Sequence, residues 1–279
     1  EDSNTIGLWV PFGELDGRLI PDTKSKNLIL RPRSVSEGSY AELLLTDDRM
    51  KSVFFSFVDE YLRSFVASPE NSVATLSSQL DKWRALFVPR PVRELSEEIE
   101  LGLLCELATL IELLESDGSD AFYRWTGPDA SRHDFQLDTR DIECKATKSK
   151  NGLTTKISGA QQLELGPNGR LILVVRKYEK TPNGEISLRD LIDEICANTD
   201  VPTDEFLNML MEIDFSIVVN ERGTGRRFNE IERFVFEVGP NFPRLSPSGI
   251  NPRVIGITYN LDLNPPEDIE GFKKDGILL

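Results

Sequence analysis

The five consecutive residues Leu171-Ile-Leu-Val-Val175 limit the fold more than any other stretch of this chain. An apolar run without alternation reads as a strand buried on both faces, so the chain must cover a sheet from two sides. A chain of 279 residues has material for that, as one large domain or two modest ones on the usual scale of about 100–200 residues each. With 39% hydrophobic and 28% charged residues, neither disorder nor a fibrous rod fits. The fold class expected is mixed α/β.

The segments around the run follow from periodicity and punctuation. Residues 1–47 carry short apolar pieces, Leu8–Val10, Leu28–Leu30 and Ala41–Leu45, separated by turn formers as in an antiparallel meander. Helices are expected over Arg49–Val66 and Val73–Phe87, the second ended by Val88-Pro89-Arg90-Pro91. That break divides the chain into an N-terminal β/α region, 1–90, and a second domain, 91–279. A helix over Glu97–Glu115 comes next, followed by strands at Ala121–Trp125, His133–Leu137 and Ile142–Thr147 and a short helix at Ser158–Leu165 before the buried run. Further helices are expected at Leu188–Ala197 and Thr203–Met211, then strands at Phe215–Val219, Arg233–Val238 and Arg253–Tyr259. The useful order is helix, three strands, helix, strand.

Several chemistries are poorly supported. Three scattered cysteines without a CxxC spacing suggest neither a disulfide framework nor a zinc site, and fit a reducing, cytoplasmic setting. No apolar run reaches the roughly 18 residues that span a bilayer, so no membrane role is expected. The one histidine, His133, would have to serve any Ser-His-Asp or Cys-His hydrolase, and strand alternation turns it away from its neighbour Asp134 toward a structural role.

Asp134 and the triplet Glu143-Cys144-Lys145 are the residues that could carry chemistry. Glu143 and Lys145, two apart on a strand, share one face. If the chain turns tightly at Thr139-Arg140, residue 134 pairs with 145, which sets Asp134 opposite Lys145 and diagonal to Glu143. Carboxylate oxygens are the ligands Mg2+ prefers, and a site with few of them leaves room for water and a substrate phosphate. A lysine beside the metal can stabilise the attacking water, or deprotonate it if its own pKa is depressed. An exposed strand pair with facing opposite charges would look the same at this level. Glu106 adds weight, because it sits on the helix among Leu103, Leu104, Leu107, Leu110 and Ile111, where a carboxylate is costly unless paired or metal-bound.

The stretches Gly102-Leu-Leu-Cys-Glu106-Leu, Trp125-x-Gly127-Pro128, His133-Asp134-Phe135, Ile142-Glu143-Cys144-Lys145-Ala146-Thr147 and Ile157-Ser-x-x-x-Gln162-Leu163 resemble the PD-(D/E)XK nuclease superfamily. They are closest to an uncharacterised bacterial family of restriction-endonuclease-like proteins. The resemblance is carried by about residues 100–175. It departs in having His133 where the name-giving pattern has proline, and Cys105 where glycine is expected. It implies a restriction-endonuclease-like core, with Asp134, Glu143 and Glu106 as metal ligands and Lys145 activating or stabilising the nucleophile. Gln162 would stand beside the scissile phosphate. The activity implied is magnesium-dependent hydrolysis of phosphodiester bonds, with Mn2+ able to substitute, most readily of DNA in a restriction or phage-defence setting. A non-catalytic subunit that uses the same fold to hold DNA or protein is the alternative.

Charge complicates a nucleic-acid partner. The chain has 32 Lys and Arg against 47 Asp and Glu, a net charge of −15, so binding must rest on local basic patches. One runs through Lys148, Lys150 and Lys156, and a second is Arg222-Gly-Thr-Gly-Arg226-Arg227. The isolated chain is therefore expected to bind DNA weakly and to depend on a homodimer or on partner subunits.

Overall fold

A computed structural model describes residues 6–14, 16–22, 25, 27–87, 95–129, 131–148, 152–166, 169–213, 225–251, 253–273 and 276. The chain forms two compact units, 1–94 with 202–224 and 95–201 with 225–279. The boundary expected at Val88–Pro91 lies outside the described residues, as does the strand expected at Phe215–Val219.

In the first unit, strands β1 (Gly7–Pro11), β2 (Leu28–Val35) and β3 (Gly38–Leu45) form an antiparallel sheet of order β1-β3-β2. Alternation puts Val10, Leu28, Leu30, Ala41, Leu43 and Leu45 on the buried side. Helices α1 (Lys51–Ala67) and α2 (Ser72–Trp83) follow, close to the segments expected. Asp16 holds the start of α2, its carboxylate accepting from the N–H groups of Val73 and Ala74 at 2.8 and 2.9 Å, where the helix has unpaired donors.

The second unit opens with α3 (Glu97–Ser116), whose N-cap Ser96 accepts from Ile99 N–H at 3.2 Å. The next segment, read as a strand over Ala121–Trp125, is instead a single helical turn, α4 (Asp120–Tyr123), that buries Ala121 and Phe122. Gly118 at positive φ ends α3 and launches that turn, a local effect that outweighs β propensity. Then come β4 (Phe135–Gln136), β5 (Asp141–Thr147), β6 (Thr154–Ile157), β7 (Leu171–Lys180) and β8 (Ile186–Ser187). Helices α5 (Leu188–Ala197) and α6 (Thr203–Glu212) lie close to their expected positions, and α6 belongs to the first unit. Strands β9 (Arg227–Glu237), β10 (Tyr259–Asp262) and β11 (Phe272–Lys273) complete the described elements. Of the strand expected over Arg253–Tyr259 only Tyr259 is strand, and the helix expected at Ser158–Leu165 is a short 3-10 turn, Ala160–Leu163.

The main sheet has the order β11-β9-β7-β5-β4, with β8 added on β9, and β6 pairs separately with β10. The run Leu171–Val175 is central and buried, parallel to β5 and antiparallel to β9. One sheet face carries Leu171, Leu173, Val175 and Phe236 into a core with Leu153, Ile157, Leu163, Phe242 and Leu263. Helix α3 covers the other face, where Cys144 Sγ meets Thr109 Oγ1 at 3.5 Å. Among the described residues no helix is long and apolar enough to cross a membrane.

Candidate active site at the edge of strand β5

The register of β4 on β5 decides what Asp134 meets. Phe135 pairs with Ile142 and Gln136 with Asp141, and Leu137 N–H donates to Arg140 O at 2.9 Å. The turn is thus centred on Asp138-Thr139, one residue earlier than expected, so the register is shifted by two. Continued by one residue, it places 134 opposite Glu143, not opposite Lys145. The ladder ends there, and the Asp134 carboxylate takes over as partner of β5, its Oδ2 accepting from Cys144 N–H at 2.7 Å.

Glu143 and Lys145 share a sheet face, as their spacing requires, and Lys145 Nζ pairs with Glu143 Oε1. The second Glu143 oxygen, Oε2, is buried and has no hydrogen-bond partner among the described residues. Glu106 approaches from α3, on the other side of the sheet, and its Oε2 accepts from Trp125 Nε1–H at 2.9 Å. A Cβ at Gly127 would meet the same Glu106 oxygen, so a larger residue there would push the Glu106 carboxylate away from Trp125. Thr126 and Gly127 also donate their N–H groups to Asp134 O at 2.8 and 3.1 Å. The Trp125-Thr-Gly127 segment therefore positions two of the acids, a role the sequence did not assign to it. A Trp-x-Gly next to an acid on an apolar helix was the available signal.

Electrostatics sets this edge apart. Burial, and then the Asp134 charge, push Glu106 and Glu143 well above the usual carboxylate range. Burial also raises Asp134, against the pull of Lys145 and the Cys144 N–H. For Lys145, burial acts downward, but the Glu143 and Asp134 charges prevail and hold its pKa above the ordinary value. Those neighbouring charges favour the ammonium form of Lys145. Ionised, three carboxylates face one ammonium, a deficit of two positive charges.

A divalent cation fits that deficit, the hard oxygen donors and the unpartnered Glu143 Oε2. The three acids do not, however, converge as expected. Among the described residues no group of three or more His, Cys, Asp or Glu side chains is placed to hold a metal ion.

The other residues singled out are placed less suggestively. Gln162 Oε1 accepts from Ser158 N–H at 2.8 Å and so closes its own turn. His133 is buried with Nδ1 at 3.1 Å from Asp141 Oδ2, and burial lowers its pKa, consistent with a structural role. Lys148 pairs with Glu97 and Lys156 with Glu98 at 2.9 Å, both acids in the first turn of α3. Arg226 reaches Glu100 at 2.5 Å, and Arg227 is held by the Gly184 and Glu185 carbonyls at 2.7 and 2.9 Å. Lys150 and Arg222 lie outside the described residues.

A mixed sheet with Glu-x-Lys on a central strand, an aspartate at its edge and a glutamate on the covering helix defines a PD-(D/E)XK nuclease-like fold. The model of a family described as "putative PD-(D/E)XK family member" (DUF4420) matches residues 8–264, and the chain belongs to that family. No curated protein and no solved structure matches the chain. The family match extends well beyond the 100–175 stretch that carried the resemblance, and takes in most of the first unit.

Proposed function

We propose that the chain is a metal-dependent nuclease that hydrolyses DNA phosphodiester bonds, with Mg2+ as its cofactor and Mn2+ able to replace it, in a bacterial restriction or phage-defence system. The observation that carries this reading is the buried, unpartnered Glu143 Oε2 beside Asp134 and a protonated Lys145. The family to which the chain belongs supports it, and the defence setting rests on the resemblance to restriction enzymes.

Asp134 and Glu143 would hold the cation. Bound there, a divalent cation supplies charge for the developing phosphoryl oxyanion and lowers the pKa of water. Lys145, whose neighbours favour its ammonium form, would orient water and stabilise negative charge at the phosphate. Glu106, held by Trp125 Nε1, adds negative potential at the β5 edge and positions Asp134 through the Trp125–Gly127 segment. Gln162 would meet substrate only by giving up its bond to Ser158.

A second reading, a non-catalytic subunit that holds DNA or protein partners, is favoured by the ion pairs of Lys148, Lys156 and Arg226 with Glu97, Glu98 and Glu100. These pairs spend the local positive charge that docking of phosphates would use. Incubating the purified chain with DNA in Mg2+, Mn2+ or EDTA, beside an Asp134→Ala control, separates the two. Metal-dependent cleavage lost in the control supports the nuclease, and no cleavage in any metal supports the subunit.

A further inference from the structure

The outer face of the N-terminal sheet is unlike the rest of this acidic chain. Its cross-strand register aligns Trp9 with Glu42 and Arg31, and Pro11 with Tyr40 and Arg33. Trp9 is 45% exposed, and the side chains of Arg31 and Arg33 are 50% and 41% exposed. The Trp9 and Tyr40 rings lie 5.8 Å apart, and the Arg33 guanidinium sits 4.7 Å from the centre of the Trp9 ring.

Glu42 lies beneath this layer, buried, with Oε2 taken by Arg31 Nε at 2.6 Å and Oε1 by Arg33 Nη1 at 2.8 Å. Those two guanidinium groups hold its pKa down against its burial. One carboxylate therefore fixes two arginines in place and neutralises one of them. A guanidinium has five N–H donors, so each keeps a fork to offer outward. The only other acid in these strands and their connecting hairpin turn is Glu37, at the turn itself.

We propose that this face binds single-stranded nucleic acid, stacking unpaired bases on Trp9 and Tyr40 and seating backbone phosphates on Arg31 and Arg33. Flat aromatic and guanidinium planes on an open sheet match the π-faces of unstacked bases, which a duplex keeps covered. The guanidinium N–H donors that Glu42 leaves free supply the attraction for phosphate. An acidic protein segment would use the arginines but gain little from the exposed rings. The chemistry is common to DNA and RNA.

The test measures anisotropy of labelled oligothymidylate and oligouridylate of about 15 nucleotides, and of the matching duplex, with the full chain in EDTA. Single strands should bind more tightly than duplex, and the tighter of the two single strands names the source. Trp9→Ala should weaken that binding about 5- to 100-fold, the range of one lost base stack. Glu42→Gln, which unmasks the second arginine, should strengthen it. Should either variant fold poorly, ultraviolet cross-linking of the unaltered chain to bromouracil-substituted strand should place the adduct on the peptides carrying Trp9 or Tyr40. Unchanged affinity in Trp9→Ala, adducts elsewhere, or displacement by polyglutamate as effective as by oligonucleotide would overturn the proposal. EDTA separates it from the nuclease reading: strand binding without cleavage in any metal sinks that reading and leaves this one standing.

Discussion

Helix α3 sends two glutamates toward the same sheet, and the fold treats them in opposite ways. Glu112 meets Arg176 at 2.6 Å and Arg233 at 2.9 Å, and Arg176 also grips Glu230 at 2.9 Å. Glu106, six residues earlier, receives only an indole N–H among the described residues, with Asp134 close enough to raise its pKa further. The protein can thus build a balanced ion network against this helix, and does so beside β7. At the β5 edge it leaves three acids against one lysine. An unbalanced site within reach of a balanced one is what a binding or catalytic site looks like, since burial without compensation costs folding free energy.

Removing the acids at the β5 edge should have the largest effect. Glu143→Gln and Asp134→Asn should each lower Mg2+-dependent cleavage by about 10²–10³-fold or more with circular dichroism unchanged, and Lys145→Ala should do the same while calorimetry still detects Mn2+ binding. Wild-type-like cleavage in any of them would erase the contrast between the two glutamates. In the balanced network the loss should appear as stability: Arg176→Met strands Glu112 and Glu230 and should cost about 3 kcal/mol in urea unfolding, with the β5 edge unaltered.

A pH scan sharpens the contrast at smaller scale. Glu106, Asp134 and Glu143 have raised folded pKa values, so folding favours their protonated forms. Their contribution is fully present below the ordinary carboxylate range and is lost as pH rises through the folded values. In EDTA the melting temperature should therefore fall between mildly acidic and alkaline pH, and Glu143→Gln should flatten the fall. The smallest effect belongs to Glu97, which hydrogen bonds from Lys148 and Lys180 lower to about 2. Its contribution is present above the ordinary value and lost as pH falls toward 2. Glu97→Gln should lower stability by less than about 1 kcal/mol, as exposed pairs do, evenly across neutral and alkaline pH, and the difference from the unaltered chain should vanish as pH falls toward 2.

Much of this was legible in the sequence, for reasons that differ by element. The run Leu171–Val175 and the apolar helix around Glu106 could be placed because burial on all sides leaves no polar alternation to misread. Glu143-x-Lys145 shared a face because the period of a strand is fixed. The pairing of Asp134 slipped by two residues, since a two-residue hairpin can close at Asp138-Thr139 as easily as at Thr139-Arg140 and only the packed structure chooses. How Glu106, Asp134 and Glu143 sit with respect to one another depends on the packing of α3 against β5, which sequence order does not fix. The basic patch failed because the glutamates that occupy Lys148 and Lys156 are about 50 residues away in the chain. Assignment of α6 to the first unit is of the same kind, a long-range association with no local mark.

The bond from Cys144 N–H to Asp134 Oδ2 also affects how the protein behaves in concentrated solution. Before Phe135 the β4 ladder stops, and a bare strand edge is a template onto which another chain can add. A side-chain carboxylate on that N–H blocks such addition with a charge. The residue proposed to bind metal would then also block strand addition at this edge, so the choice of an inactive variant matters. Asparagine keeps an oxygen for the amide, whereas alanine opens the edge. Asp134→Ala should accordingly show faster hydrogen exchange at Cys144 and more light scattering on concentration than Asp134→Asn.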